Sequence, residues 1–401
     1  MKKSIYLCVV FVLSLMVQAH AGTWIEKANF GGDARHRAVA FSIGNRGYMG
    51  LGHVNSIVDI LFNDIWEYDP GSNSWTQKAN FGGGLRYHAT AFVIGNFAYV
   101  GTGRSPSGVL NTDFWKFDPV LNIWTPVASF IGSARRGAVS FTIDGKGYTG
   151  TGNYTADFYQ YDPILNSWSP IAALPGSPRT SSVAFSIGDK GYLGTGDVGG
   201  GINDFYEYNP TTNVWTPKAP VGPVLRQEAT GFSINGMGFI GTGDDFSSGN
   251  NYGDMWMYNP TLNTWTQVED FGGLARRYLV SFTIGNKAYS GTGTNGTNFK
   301  DFWVYDYWLS ALEREKELVR INAYPNPAVD VVTISLENIP ADLSANSLMF
   351  EMYDMNGKCV ASRKISQSSF TVNRPLNGSG VYIYSVQYEN QAVRRGKIIF
   401  Q

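Results

Sequence analysis

Cysteine is almost absent from this chain of 401 residues, which contains only Cys8 and Cys359. Cys8 lies in an N-terminal segment that we expect to be removed, so one cysteine would remain and no internal disulfide could form. Histidine is also scarce: beyond that segment only His36, His53 and His88 occur. So few imidazoles argue against a metal centre built on several histidines. We therefore predict no metal and no cofactor.

Charge is low as well. Only 16% of the residues are charged, against about 25% in an average globular protein. The 31 Lys and Arg nearly balance the 32 Asp and Glu, and no basic tract is present, which removes the electrostatic reason to expect nucleic acid as a partner. The chain is instead rich in glycine, with 47 residues, and in aromatic residues, at 14%. This mixture favours an all-β fold of short strands and tight turns.

The N-terminus has the pattern of a secretory signal peptide. Met1, Lys2 and Lys3 precede an apolar run over residues 5–17, and Ala19 and Ala21 flank His20 in a small-x-small cleavage pattern. A membrane span is the alternative, but it needs about 20 apolar residues. We predict a signal peptide over residues 1–21 and no transmembrane span in the mature chain.

An internal repeat dominates residues 22–307. Each copy starts with an arginine, continues through an apolar strand and reaches an aromatic residue followed by Gly-x-Gly. The arginines are separated by 51, 49, 44, 47 and 50 residues, a period typical of four-stranded propeller blades. The six arginines are Arg35, Arg86, Arg135, Arg179, Arg226 and Arg276. Six copies predict six blades.

The second half of each copy adds further strand and turn signals. An Asp-aromatic pair opens a third strand, an Asx-Pro turn follows in five copies, and a spaced Trp marks a fourth strand. The last copy lacks this Pro turn and this Trp, whereas the segment beginning at Trp24 nearly repeats the one beginning at Trp75. We therefore expect the N-terminal strand to complete the sixth blade and so to remove exposed sheet edges.

This order of arginine, glycine pair, aromatic strand, Asx-Pro turn and Trp resembles the kelch and galactose-oxidase-type repeat over residues 22–307. The resemblance implies a six-bladed kelch-like β-propeller. Copper oxidases of the related fold use a tyrosine cross-linked to cysteine, and residues 22–307 contain no cysteine. That oxidase activity is therefore excluded.

A different pattern follows the repeats. Residues 308–320 have the composition of a linker or short helix, and from residue 321 short strands predict a small C-terminal β-sandwich over residues 321–401. Three landmarks resemble the C-terminal sorting domain of the bacterial type IX (Por) secretion system: an early Tyr-Pro-Asn-Pro, a turn with glycine, and a Gly-Val-Tyr followed by a terminal Lys-Ile-Ile. The residues that carry these landmarks are Tyr324, Pro325, Asn326, Pro327, Gly357, Gly380 and Lys397. The resemblance implies recognition by the type IX machinery and a secreted or surface-attached protein.

The repeated arginines allow two interpretations. In the first, they form a positive ring that binds an anion at one mouth of the central channel of the propeller. In the second, which we favour, they pair with the repeated aspartates and fix the geometry of each blade. Variable residues just after each repeated arginine are better ligand candidates, since specificity usually resides in variation on a constant scaffold. These candidates are His36, Arg37, Tyr87, His88, Arg136, Gln227, Glu228, Arg277 and Tyr278.

Three functions remain open from the sequence. The first, which we favour, is an exported non-catalytic module that binds a protein or a glycan, because no nucleophile elbow, P-loop or zinc-protease motif is present. The second is an enzyme such as a sugar mutarotase or sialic-acid epimerase, a chemistry found on some six-bladed kelch propellers, with Glu228 and His88 as acid and base. The third is a structural surface component.

Overall fold

A computed structural model describes residues 22–54, 60–246, 248–307, 320–337, 348–376, 378–388 and 391–401. The predicted signal peptide at 1–21 and nearly all of the predicted linker lie outside these residues. Two compact units are present, one over Gly22–Tyr307 and the other containing the described residues from 320 onward. No helix in the described ranges has the length and apolar character needed to cross a membrane.

The first unit consists of six antiparallel four-stranded sheets, numbered here in chain order of their first strands. Sheet 1 contains Val39–Ile43, Arg46–Gly50, Ile65–Asp69 and Ser74–Lys78. Sheet 2 contains Thr90–Ile94, Phe97–Gly101, Phe114–Asp118 and Ile123–Val127. Sheet 3 contains Val139–Ile143, Lys146–Gly150, Phe158–Asp162 and Ser167–Ile171. Sheet 4 contains Val183–Ile187, Lys190–Gly194, Phe205–Asn209 and Val214–Lys218.

Sheet 5 contains Thr230–Ile234, Met237–Gly241, Met255–Asn259 and Thr264–Val268. Sheet 6 contains Val280–Ile284, Lys287–Gly291, Phe302–Tyr307 and, as its fourth strand, the N-terminal strand Gly22–Lys27. Two short hairpins and a 3₁₀ turn lie between second and third strands: His53–Val54 with Ile60–Leu61, Asp244–Asp245 with Asn250–Asn251, and Pro106–Gly108.

The N-terminal strand lies where the repeat pattern predicts it. It pairs antiparallel with Phe302–Tyr307, and Trp24 stands opposite Tyr305. The first strands of the six sheets contact one another in cyclic order, including sheet 6 with sheet 1. This is a propeller-like arrangement in which every first strand faces a common axis.

Aromatic pairs between the first and second strands fill the sheets. In each sheet a Phe of the first strand stacks on a Tyr or Phe directly opposite it on the second strand. Phe92 and Tyr99, for example, have ring centroids 5.2 Å apart, and Phe141 and Tyr148 are 5.1 Å apart. Such cross-strand aromatic pairs stabilise a sheet beyond the area they bury. The alternation of large apolar and small residues therefore forms the core and leaves the small side chains at the axis.

Neighbouring sheets are also joined by hydrogen bonds at their outer strands. At the junction of sheets 3 and 4, Ala172 N–H donates to Asn213 Oδ1 at 2.9 Å, and Trp215 Nε1–H donates to the Ala172 carbonyl at 2.9 Å. The same pair of bonds recurs at four other junctions, with Trp75, Trp124, Trp168 and Trp265 as donors. At five of the six junctions a repeated tryptophan thus links a sheet to the one before it.

The repeated arginines are buried and paired with aspartates of the same copy. The six pairs are Arg35–Asp64, Arg86–Asp113, Arg135–Asp157, Arg179–Asp204, Arg226–Asp254 and Arg276–Asp301. Each arginine also donates to the carbonyl of the residue between the two glycines, such as Thr195 for Arg179 at 3.1 Å. These bonds tie the start of each copy to its second and third strands, as the second interpretation of the arginines predicts.

The second unit contains two antiparallel sheets around one apolar core. One sheet contains Arg320–Tyr324, Val331–Glu337 and Ser369–Asn373, and the other contains Leu348–Tyr353, Cys359–Lys364, Gly380–Tyr388 and Gln391–Phe400. Residues from both sheets, including Ile334 and Phe350, are fully buried together. The sequence did not predict the strands at 320–324 and 369–373, and Arg320 belongs to a strand rather than to the linker.

Candidate functional site

Six residues with left-handed backbone conformation surround one end of the axis. Each stands two positions after a repeated arginine, and each has a φ between 53° and 63°. We call this set the mouth ring; it consists of Arg37, His88, Gly137, Ser181, Glu228 and Tyr278. Backbone bonds connect successive members: His88 N–H donates to the Arg37 carbonyl at 3.0 Å, and the chain of bonds continues to Tyr278. The scaffold is therefore constant while the side chains vary.

A cavity of about 120 Å³ lies within the mouth ring and is lined by all six of its members. Two further cavities continue along the axis. One is lined by small first-strand residues such as Ala40 and Ser140, and the other also by first-strand phenylalanines such as Phe92 and Phe141. Of these three cavities, only the mouth cavity is lined by charged side chains.

Arg37 lies at the centre of a hydrogen-bond network in this cavity. Its Nε–H donates to His88 Nε2 at 3.1 Å, and its Nη1 lies 2.7 Å from His36 Nε2 and 2.9 Å from His53 Nε2. Its Nη2–H donates to the Tyr278 hydroxyl, and its guanidinium carbon lies 3.9 Å from the centroid of the Tyr278 ring. Three imidazoles and one phenol therefore orient a single guanidinium.

Glu228 lines the cavity, and Arg277 connects it to a second acidic residue, Asp244. Glu228 accepts a hydrogen bond from the Tyr278 hydroxyl, and its second carboxylate oxygen lies 3.3 Å from Arg277 Nε. Arg277 also reaches Asp244, with Nη1 and Oδ2 2.9 Å apart. Asp244 and Gln227 are buried, and their backbones pair with each other. Asp244 Oδ1 and Gln227 Oε1 are buried polar atoms without a hydrogen-bond partner in the described chain, so a ligand or water could bind them.

Burial sets the protonation of these groups. It raises the pKa of Glu228 to about 8, with help from the Asp244 charge and against the opposing charge of Arg37. Burial and Arg37 lower the pKa of His36 to about 4, and burial with the charge of His36 lowers that of His53 to about 3. The pKa of His88 lies well below its ordinary value for the same physical reasons. At neutral pH the cavity thus combines cationic arginines, neutral imidazoles and a largely protonated Glu228.

The structure brings the nine candidate residues to one end of the axis. Arg37, His88, Glu228 and Tyr278 line the cavity directly. His36 contacts Arg37, Arg277 contacts Glu228, and Gln227 pairs through its backbone with Asp244. Tyr87 stacks on His53 at 4.1 Å, and the positive charge of Arg136 lowers the pKa of His53 and His88 further, after burial. Their assignment as ligand-binding residues stays a prediction.

Sequence reasoning did not select His53 or Asp244 as site residues. Both directly follow a Gly-x-Gly pair and form backbone bridges with the residue just after a repeated arginine, His36 with His53 and Gln227 with Asp244. The fixed offset from the second glycine is the signal that would have found them. Within the described ranges no group of three or more His, Cys, Asp or Glu side chains is arranged to hold a metal ion.

Comparison with known proteins defines the class of this molecule. Residues 322–401 match the family described as the secretion system C-terminal sorting domain. This domain marks proteins exported by the bacterial type IX secretion system, so the chain is secreted or attached to the cell surface. The molecule is therefore an exported all-β protein with a propeller-like unit.

Two individual proteins are similar to parts of the chain. The solved structure of YjhT superposes with a TM-score of 0.58 and 19% identity, covering 69% of this chain and 96% of that one. At this identity the likeness shows the fold alone. The ulvan lyase NLR42 of Nonlabens ulvanivorans is 33% identical over 85 residues, which span 21% of this chain and 15% of the relative. The chain thus matches only a small part of that enzyme's length.

Proposed function

We propose that this protein is an exported six-bladed, kelch-like β-propeller, closed by its N-terminal strand, that binds a glycan at the mouth cavity. In this proposal residues 22–307 form the binding domain and residues 321–401 the sorting domain that is recognised by the secretion machinery. The observation that carries the proposal is the convergence of Arg37, His88, Glu228 and Tyr278 on one small cavity.

The chemistry of the cavity favours a sugar over a protein surface. Its volume of about 120 Å³ suits one sugar residue. The Arg37 guanidinium, the Tyr278 hydroxyl, the neutral His88 imidazole and the Glu228 carboxyl match the dense donor and acceptor pattern of sugar hydroxyls.

Screening the purified protein on a glycan array, followed by calorimetry, tests this function. We expect wild type to bind at least one glycan, and Arg37→Ala and Glu228→Gln to bind it at least tenfold more weakly while each variant still unfolds in one cooperative transition. Leu121→Ala, on an exposed outer turn, is the matched control and should bind like wild type. The proposal fails if no glycan binds, or if both mouth variants bind like wild type.

A second function is favoured by one specific observation. Glu228, which holds its proton at neutral pH, and His88, which is neutral there, line the same cavity and could serve as acid and base on a bound sugar. Nuclear magnetic resonance of anomer exchange on a panel of free sugars tests this activity. Faster anomer exchange with wild type that is lost with Glu228→Gln would support the enzymatic function. Exchange rates that wild type does not change would contradict it and leave glycan binding as the proposed function.

A further inference from the structure

Tyr154 is an exposed aromatic residue that is fixed in place beside the mouth cavity. It is 54% exposed, although its hydroxyl donates to Asp197 Oδ2 at 2.5 Å. The other carboxylate oxygen of Asp197 accepts hydrogen bonds from Gly199 N–H at 2.8 Å and Gly200 N–H at 3.1 Å. The ring is therefore anchored at its tip by a carboxylate that is itself held by a turn.

The backbone of Tyr154 has a conformation that bulky residues avoid. Its φ is 58°, and the preceding residue, Asn153, has a φ of 47°. A tyrosine is uncommon in this strained region, and strained residues cluster at functional sites. Burial does not repay the cost of this strain, because half of the ring faces solvent. The chain thus holds an apolar ring in water at an energetic cost.

Backbone contacts place Tyr154 at the rim of the mouth. Asn153 N–H donates to the Arg136 carbonyl at 3.0 Å, and Thr155 bridges to Arg179; Arg136 and Arg179 each lie next to or near a mouth-ring residue of their copy. Asp197, which anchors the ring, bridges to Thr180, the neighbour of Ser181. The charge of Arg136 acts on the Tyr154 hydroxyl. Tyr154 does not line the cavity itself but lies on a loop that is bonded to the connections carrying the mouth ring.

The size of the cavity limits what can bind inside it. About 120 Å³ accepts one sugar residue, so the remainder of a longer glycan must lie on the surrounding loops. The face of an aromatic ring carries negative charge density and attracts the polarised C–H groups of a sugar ring. A rigid, exposed tyrosine next to the cavity is suited to hold the second residue.

We propose, on the basis of the proposed function, that Tyr154 forms a second sugar subsite and that the ligand is an oligosaccharide rather than a single sugar. The terminal residue occupies the mouth cavity, and the adjoining residue stacks on the Tyr154 ring. Asp197 acts as a positioning residue that keeps this ring in the stacking orientation.

Calorimetry with two probes of different length tests the proposal. The probes are the tetrasaccharide and the terminal monosaccharide of the array glycan that wild type binds best. We expect wild type to bind the tetrasaccharide at least fivefold more tightly. Tyr154→Ala should weaken tetrasaccharide binding at least fivefold and monosaccharide binding less than twofold. Tyr154→Phe keeps the ring and should lose less than threefold, and Val120→Ala on an outer turn should change neither affinity.

The outcomes separate this subsite from the mouth site. Equal wild-type affinities for the two probes, or wild-type tetrasaccharide binding by Tyr154→Ala, would overturn the second subsite while the loss in Glu228→Gln still supported the first. Weakening by Tyr154→Ala without any effect of Glu228→Gln or Arg37→Ala would instead keep the Tyr154 subsite and remove the mouth cavity from the proposal. Absence of all glycan binding overturns both.

Discussion

Arg35 and Arg37 stand two residues apart on the same connection, yet their surroundings differ completely. Arg35 is fully buried and is held by Asp64 and the Leu51 carbonyl. Arg37 is half-buried and points into the mouth cavity, where its nitrogens contact histidines and Tyr278. The first arginine recurs in every copy, whereas the second is replaced by a different residue in each. Repetition therefore marks structural residues, and variation two positions later marks the candidate site.

Removing a repeated arginine is the strongest way to test this difference. In Arg179→Ala, Asp204 loses both charged contacts, at 2.5 and 2.6 Å, and the Thr195 carbonyl loses a donor. Breaking a buried pair by removing one partner typically costs about 3–5 kcal/mol. We expect a loss of this size in the free energy of unfolding, measured by urea denaturation.

The control for Arg179→Ala lies two residues further along the same connection. Ser181→Ala changes a mouth-ring residue whose backbone N–H is bonded to the Gly137 carbonyl. Its stability should stay within about 0.5 kcal/mol of wild type. Similar losses in the two variants would show that the constant and variable positions do not differ in structural role.

Much of the fold could be predicted because each strand is specified by local sequence that recurs. The Gly-x-Gly pairs, Asx-Pro turns and tryptophans fix strand ends within each copy, and the duplicate segment at Trp24 locates the N-terminal strand. The second unit lacks such repetition. Its strand Arg320–Tyr324 has only two aliphatic side chains, Ile321 and Ala323, so the sequence did not identify it as a strand.

The site could be predicted only in part, since its members meet through long-range pairing. The offset from each repeated arginine identified residues such as Arg37 and Glu228. Asp244 joins them only because the residue after Gly-x-Gly bridges to Gln227. Tyr154 depends on a contact with Asp197 in the next copy, 43 residues away. A local pattern can give an offset, as it does for Asp244 after its glycine pair, but it does not show which distant residues meet.

The raised pKa of Glu228 predicts that this mouth-ring residue makes the stability of the protein depend on pH. Glu228 keeps its proton in the folded protein up to about pH 8, whereas the unfolded chain releases it above its ordinary value of 4.5. The stability contributed by this carboxyl is therefore lost progressively as pH rises between these two values. Glu228→Gln lacks this titrating group. The free energy of unfolding of Glu228→Gln minus that of wild type should therefore increase by about 2 kcal/mol from pH 5 to pH 7.

Urea unfolding of both proteins at pH 5, 6 and 7 measures this difference. The histidines of the cavity, whose pKa values are lowered, act in the opposite direction but are present in both proteins and cancel in the difference. A pH-independent difference would mean that Glu228 is ionised in the folded protein, and would remove it as a proton donor.

The smallest expected effect concerns the junctions between sheets, where one of the six departs from the repeat. This junction joins sheets 5 and 6. The position two residues before its tryptophan, Trp24, is Gly22, whereas the other copies have Asn there. Trp24 Nε1 is buried without a hydrogen-bond acceptor in the described chain. Its ring still packs edge-on against Phe271 at 5.0 Å.

Trp24→Phe and Trp215→Phe remove the same volume, but only Trp215→Phe removes a hydrogen bond. Since such a bond contributes about 1 kcal/mol, Trp215→Phe should lose about that much more free energy of unfolding. Equal losses would show that ring packing alone joins the sheets, and that the junction at Trp24 is as strong as the others.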